Sequence, residues 1–107
     1  MSLKYANPET GKLTPYQTFG FRFVSISANY TVTDYNFIKA NASGGAITVT
    51  LPSPSKMVGV PICVIKTDNS GNAVTVSGTI AGGNISLGSQ YACALVVSDG
   101  NTFYKIN

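Results

Sequence analysis

Four carboxylates (Glu9, Asp34, Asp68 and Asp99), two thiols (Cys63 and Cys93) and no histidine are the chain's main resources for acid–base, nucleophilic or metal chemistry. A glycosidase-type carboxylate pair needs both groups facing one cleft, roughly 5 to 9.5 Å apart. Asp68 and Asp99 lie instead in Asp68-Asn69-Ser70-Gly71-Asn72 and Asp99-Gly100-Asn101, where an aspartate side chain ordinarily bonds neighbouring backbone N–H groups. The first cluster has the composition of half a calcium loop but lacks the glutamate that would close the site. The cysteines have no C-x-x-C spacing, and two thiolates alone leave a zinc site half filled. Neither is placed to have a lowered pKa. They read as small hydrophobes inside PICVIK and YACALVV, with a disulfide across neighbouring strands as the alternative. Gly44-Gly45 and Gly82-Gly83 lack the strand-to-helix context of a phosphate loop. The expectation is no catalytic residue, no cofactor site, no metal site and no enzymatic activity. Six tyrosines, five phenylalanines and many amides could form a shallow sugar platform, although tryptophan is absent.

The elements that would position these residues are strands. Beyond residue 23 the apolar period is two, and no window holds a helical stripe unbroken by Gly or Pro. In AITVTLP, Ile47, Val49 and Leu51 point one way and Thr48 and Thr50 the other. PICVIK and YACALVVS are apolar on both faces, as expected of strands inside a sandwich or against a neighbouring subunit. Strands are expected over 24–28, 30–33, 36–40, 46–51, 61–67, 73–79, 84–87, 91–98 and 102–106. Turn chemistry marks the joints, and Asp99-Gly100 predicts a hairpin over 91–106. The fold class that follows is all-β, an antiparallel β-sandwich or jelly-roll-like domain over 24–107. Residues 1–23 read as an extended N-terminal arm, whose Tyr5, Tyr16 and Phe19 are candidates for docking on a partner. The Lys66-to-Thr79 stretch, with Ser70-Gly71-Asn72 as its turn and Lys66 and Asp68 at its shoulder, reads as a corner.

Composition points to assembly. Charged residues are 10% of the chain, against about 25% in an ordinary soluble domain. So few charges suggest a surface partly covered in the working state, by copies of the chain or by a larger assembly. The seven basic residues are scattered singly, unlike the gathered patch of a nucleic-acid binder, so no nucleic-acid partner is expected. No apolar run reaches the roughly 18 residues of a membrane span, and the N-terminus has no secretion-signal core. Synthesis and folding in a cytoplasm, without membrane insertion, are therefore expected.

The order of strand and turn pieces carries a resemblance. Tyr30-Thr31-Val32, the Gly45-to-Pro52 run GAITVTLP, Lys66-Thr67-Asp68 before Ser70-Gly71-Asn72, and Ser98-Asp99-Gly100 ending in Phe103-Tyr104 follow one another over residues 25–107. Together they resemble a recurrent β-rich module of tailed-bacteriophage virion proteins, found in head fibres, tail fibres and related appendages. The resemblance implies a small sandwich or jelly-roll-like unit, often trimeric, that serves as a building block or tip on the virion surface. Its implied partners are further copies of itself and phage capsid or tail proteins. Capsid decoration or a head-fibre role suits the short chain, which has no coiled coil or second domain to give reach. The alternative is a receptor-binding module of a tail or fibre that takes a host cell-surface glycan. Members of the family often carry tryptophan where this chain has Phe103, so the end of the last hairpin is expected to pack differently.

Overall fold

The computed structural model describes residues 20–107. Nine strands run in order: β1 (Phe23–Ile26), β2 (Tyr30–Thr31), β3 (Phe37–Ala40), β4 (Ile47–Thr50), β5 (Ile62–Lys66), β6 (Val74–Ser77), β7 (Ile85–Leu87), β8 (Cys93–Ser98) and β9 (Phe103–Lys105). Each overlaps a stretch where the apolar period predicts a strand, with β1 starting one residue earlier than expected, at Phe23. A single 3-10 turn, Pro54–Lys56, interrupts the link from β4 to β5.

The strands form two facing sheets, one ordered β1-β3-β5-β8-β9 and the other β2-β4-β6-β7. From β1 to β6 the chain crosses to the opposite sheet after every strand. It therefore winds as a coil whose three turns stack in parallel: β1 on β3, β3 on β5, β2 on β4 and β4 on β6. The expected antiparallel pairing holds only for β5–β8, β6–β7 and β8–β9. The two-sheet expectation stands, and the antiparallel and jelly-roll expectation is corrected to a mixed coil with an antiparallel end. A parallel pair requires the chain to leave the sheet between its strands. Here it leaves through corners at 41–46 and 67–73, whose glycines and amides turn the backbone toward the other sheet. Asp99-Gly100 does make the expected hairpin, with Val97 opposite Tyr104.

Inward positions of both sheets fill one core. Ile38, Ala40, Val49, Ile62, Val64, Val74, Val76, Ala94 and Val96 are fully buried, each large aliphatic among them contributing about 1.5–3 kcal/mol. Phe103 closes the antiparallel end and is also fully buried. Residues 79–81 cross behind it: the Phe103 N–H donates to the Thr79 carbonyl at 2.8 Å, and the Ala81 N–H donates to the Phe103 carbonyl at 2.9 Å. Thus the Phe103 ring plugs the core at its antiparallel end.

Gly78 ends β6 with φ 156°, and a Cβ there would stand 3.0 Å from the Leu51 Cβ. Both the backbone conformation and the approach of the Leu51 stem require glycine. Gly78→Ala is expected to cost about 1–3 kcal/mol in urea denaturation, with the slope unchanged.

Candidate functional site

The 67–73 corner is a polar knot between stacked turns of the coil. Period two carries Lys66 inward after Ile62 and Val64, so its side chain is completely buried. Its ammonium donates to Asp68 Oδ2 at 2.6 Å, to the Asp68 carbonyl at 3.3 Å and to Ser70 Oγ at 3.3 Å. Asp68 Oδ1 accepts the N–H of Ala42 from the preceding corner at 2.7 Å, while Oδ2 also accepts the Ser70 N–H and hydroxyl. Asn72 Nδ2 donates to the Ala42 carbonyl at 2.9 Å, and the Ser70 hydroxyl oxygen lies 3.3 Å from the same carbonyl. Partial burial pushes the Asp68 pKa up from its ordinary 3.8, but the bonds from Lys66, Ser70 and Ala42 outweigh it and hold the carboxyl far below that value. The charged groups of the knot and the Ser70 hydroxyl are bonded within the chain, as in a corner rather than an open site.

The other acids are also occupied or apart. Asp99 Oδ1 accepts the N–H groups of Asn101 and Thr102, and these bonds lower its pKa. It lies beyond the far end of β8, whose six residues separate the two ends of the sheet by roughly 20 Å. Asp34 is exposed in the β2–β3 link, and Glu9 lies outside the described residues. Among the described residues no three His, Cys, Asp or Glu side chains gather as metal ligands. Cys63 and Cys93 are free, half-buried thiols. They sit diagonally on adjacent strands, Cys63 opposite Leu95 and Cys93 opposite Ile65. Burial, with the nearby Cys93, pushes the Cys63 thiol up, so it stays protonated at neutral pH.

The two outward sheet faces differ sharply. On the four-stranded sheet, the outward positions form two hydroxyl rows, Thr31–Thr50–Ser77 and Thr48–Thr75–Ser86. On the five-stranded sheet, the corresponding row is Phe23–Phe37–Cys63–Leu95. Ile106 continues it, its N–H donating to the Leu95 carbonyl at 2.8 Å. Ile65 with Cys93, and Val97 with Tyr104, flank this row. Phe23 and Ile106 are more than half exposed, at 56% and 58%. Phe37 is wedged between Phe23 and Phe21, with ring centroids 4.4 and 5.4 Å away. Lys39 is the one ionic side chain among this sheet's outward strand positions before β9, its ammonium 5.9 Å from the centre of the Phe23 ring. Strands built to bury both faces have only one face covered by the described residues.

The apolar character of PICVIK and YACALVVS on both faces marks two strands of this surface in the sequence. Phe23, Phe37 and Ile106 are not marked, because their outward direction depends on the register of β1 and β9. Asn36 also escapes sequence reasoning. It is 3% exposed and ties the start of the described chain to the coil: it accepts the Arg22 N–H at 2.6 Å and donates to the Gly20 and Pro61 carbonyls. Its only signal is an amide beside a strand start, shared by many turn residues. Tyr5, Tyr16 and Phe19, the candidate docking residues, lie outside the described residues. No family model matches the chain, and a search of curated proteins returns no significant relative.

Proposed function

We propose that the chain is a structural protein of a bacteriophage virion, a capsid-decoration or head-fibre subunit that works as a homotrimer on the particle surface. The observation that carries this reading is the uncovered apolar face of the five-stranded sheet, taken with the resemblance of residues 25–107. Five strands about 4.8 Å apart present a surface of roughly 20 by 15 Å, on the scale of the largest apolar patches that monomers carry. Its occupant in this proposal is the same face of further copies. A basic or acidic partner would find almost no counter-charge there, whereas an identical flat, aliphatic and aromatic sheet meets it in kind. Three such faces around an axis close on one another and cover this apolar row. The hydroxyl rows then face outward, and a core as small as this one gains from association. The part of the arm that precedes Gly20 serves as the attachment to capsid or tail proteins after synthesis in the bacterial cytoplasm. Several modest attachments per trimer then act together as a cement.

Native mass spectrometry across a range of concentrations tests the assembly. A stable species of three 11.2-kDa chains, roughly 34 kDa under closed symmetry, is the expected result. A monomer persisting at high concentration overturns self-association, and a dimer overturns the trimer while keeping the face.

A further inference from the structure

A cleft of about 420 Å³ opens beside the outer edge of the four-stranded sheet, lined by Thr31, Val32, Thr33, Pro52, Ser53, Lys56 and Met57. Its size lies within the range of small-ligand sites. The geometry points to a binding site for a carboxylate-bearing sugar, a uronic acid or similar acidic saccharide, in this cleft.

The chemistry of the lining selects that class. Thr31, at the end of β2, and Thr33, in the bend after it, are both exposed on either side of the buried Val32, and both line the cleft. Ser53 supplies a third hydroxyl, and each of the three can both donate to and accept from a sugar hydroxyl. Lys56 is exposed and makes no ion pair among the described residues. Among the described lining residues its ammonium is the sole charge, and no carboxylate of theirs stands there to repel an anion. Pro52 and Met57 are half-buried and give apolar surface for the C–H face of a pyranose ring. A neutral apolar ligand would leave the hydroxyls unpaired, and a phosphate would leave the apolar wall unused. The outward row Thr31–Thr50–Ser77 runs from this cleft across the sheet. A longer acidic chain therefore meets further hydroxyls at each successive strand. This site lies away from the apolar face, so it does not depend on how the chain assembles.

The test is a titration of the full chain with D-glucuronic acid at low ionic strength, followed by amide chemical shifts. D-Glucose serves as the neutral match and acetate as the bare carboxylate. Saturable shifts confined to residues 31–33, 53 and 56–57 are expected, with glucuronate bound at least about tenfold more tightly than glucose or acetate. Lys56→Gln, on an exposed side chain, should erase the preference for the acid over glucose while leaving the thermal midpoint unchanged. A uronic-acid tetramer should bind more tightly than the monomer. Acetate matching glucuronate would reduce the cleft to a simple anion contact and overturn the sugar site. Glucose matching glucuronate, shifts centred elsewhere, or no saturable shift would overturn it as well. Failure of the sugar titration leaves the native mass result untouched, so the two proposals fail separately.

Discussion

Asp68→Ala is expected to lower the thermal midpoint by more than about 10 °C, the largest loss of any single surface-adjacent side chain in this protein. The substitution leaves the Lys66 ammonium, which is completely buried, without its counter-charge, and removing one partner of a buried pair is far more damaging than removing both. It also strips the Ala42 N–H of its acceptor, so the corner at 41–46 loses one of its ties to the next turn of the coil and keeps the bond from Asn72. The double variant Lys66→Met/Asp68→Asn separates the two losses: it removes both charges and keeps an amide oxygen for Ala42. It should recover most of the midpoint. If the double variant is as unstable as Asp68→Ala, the ion pair is not what holds the corner. Acid supplies a second check. The folded Asp68 carboxyl titrates well below its ordinary 3.8, so between those two values the unfolded chain binds the extra proton and the folded chain does not. Stability from this group is complete above the unfolded value and falls as pH drops below about 4 toward the folded value. Wild type should lose stability over that window more steeply than the double variant, measured by urea midpoints at stepped pH.

Why the corner was legible as a corner, yet not as an ion-pair knot, has a physical basis. Asp68, Ser70, Gly71 and Asn72 announce a change of direction through local chemistry that needs no tertiary information. That Lys66 points inward follows from extending the alternation of Ile62 and Val64 by one step, but lysine's usual preference for solvent argues against taking that step. The strands themselves were legible for the same local reason, since Ile47-Thr48-Val49-Thr50 and Val74-Thr75-Val76-Ser77 show their period within four residues. Their partners were not. A run such as AVTVS pairs equally well in either direction, and only the path of the corner decides that β6 lies parallel to β4. A coil with strands alternating between sheets and an antiparallel sandwich therefore have almost the same sequence pattern. The uncovered face was half legible: the doubly apolar β5 and β8 called for a second cover. What supplies that cover has no local signal in either strand. The aromatic residues Phe23 and Phe37 join the surface through the β1–β3 register alone.

Leu95→Glu is expected to abolish the oligomer, shifting native mass to the monomer at concentrations where wild type is fully assembled. Leu95 stands on β8 in the central row of the apolar face, between Cys63 on one side and Ile106 on the other. Its side chain is outward and half-buried, so glutamate can reach solvent in the isolated chain and the fold should survive. In the assembly the same carboxylate would be desolvated near its symmetry mates, where burial and like-charge repulsion act together. Truncating a central apolar anchor alone costs an interface about 2 kcal/mol or more. An unpaired buried charge adds to that, which makes a loss of at least about 100-fold in association the natural expectation. Thr75→Glu, on the hydroxyl rows of the opposite face, is the matched control and should leave the assembly intact. The two thiols give an independent readout: Cys63 and Cys93 lie on the same apolar face as Leu95. A thiol-modifying reagent should react slowly with the wild-type oligomer and quickly with Leu95→Glu at the same pH, since neither variant moves the cysteines themselves. Equal thiol reactivity with intact assembly would mean that copies meet through a different surface. Loss of assembly in Thr75→Glu, with Leu95→Glu still trimeric, would move the interface to the hydroxyl face and take the cementing geometry with it.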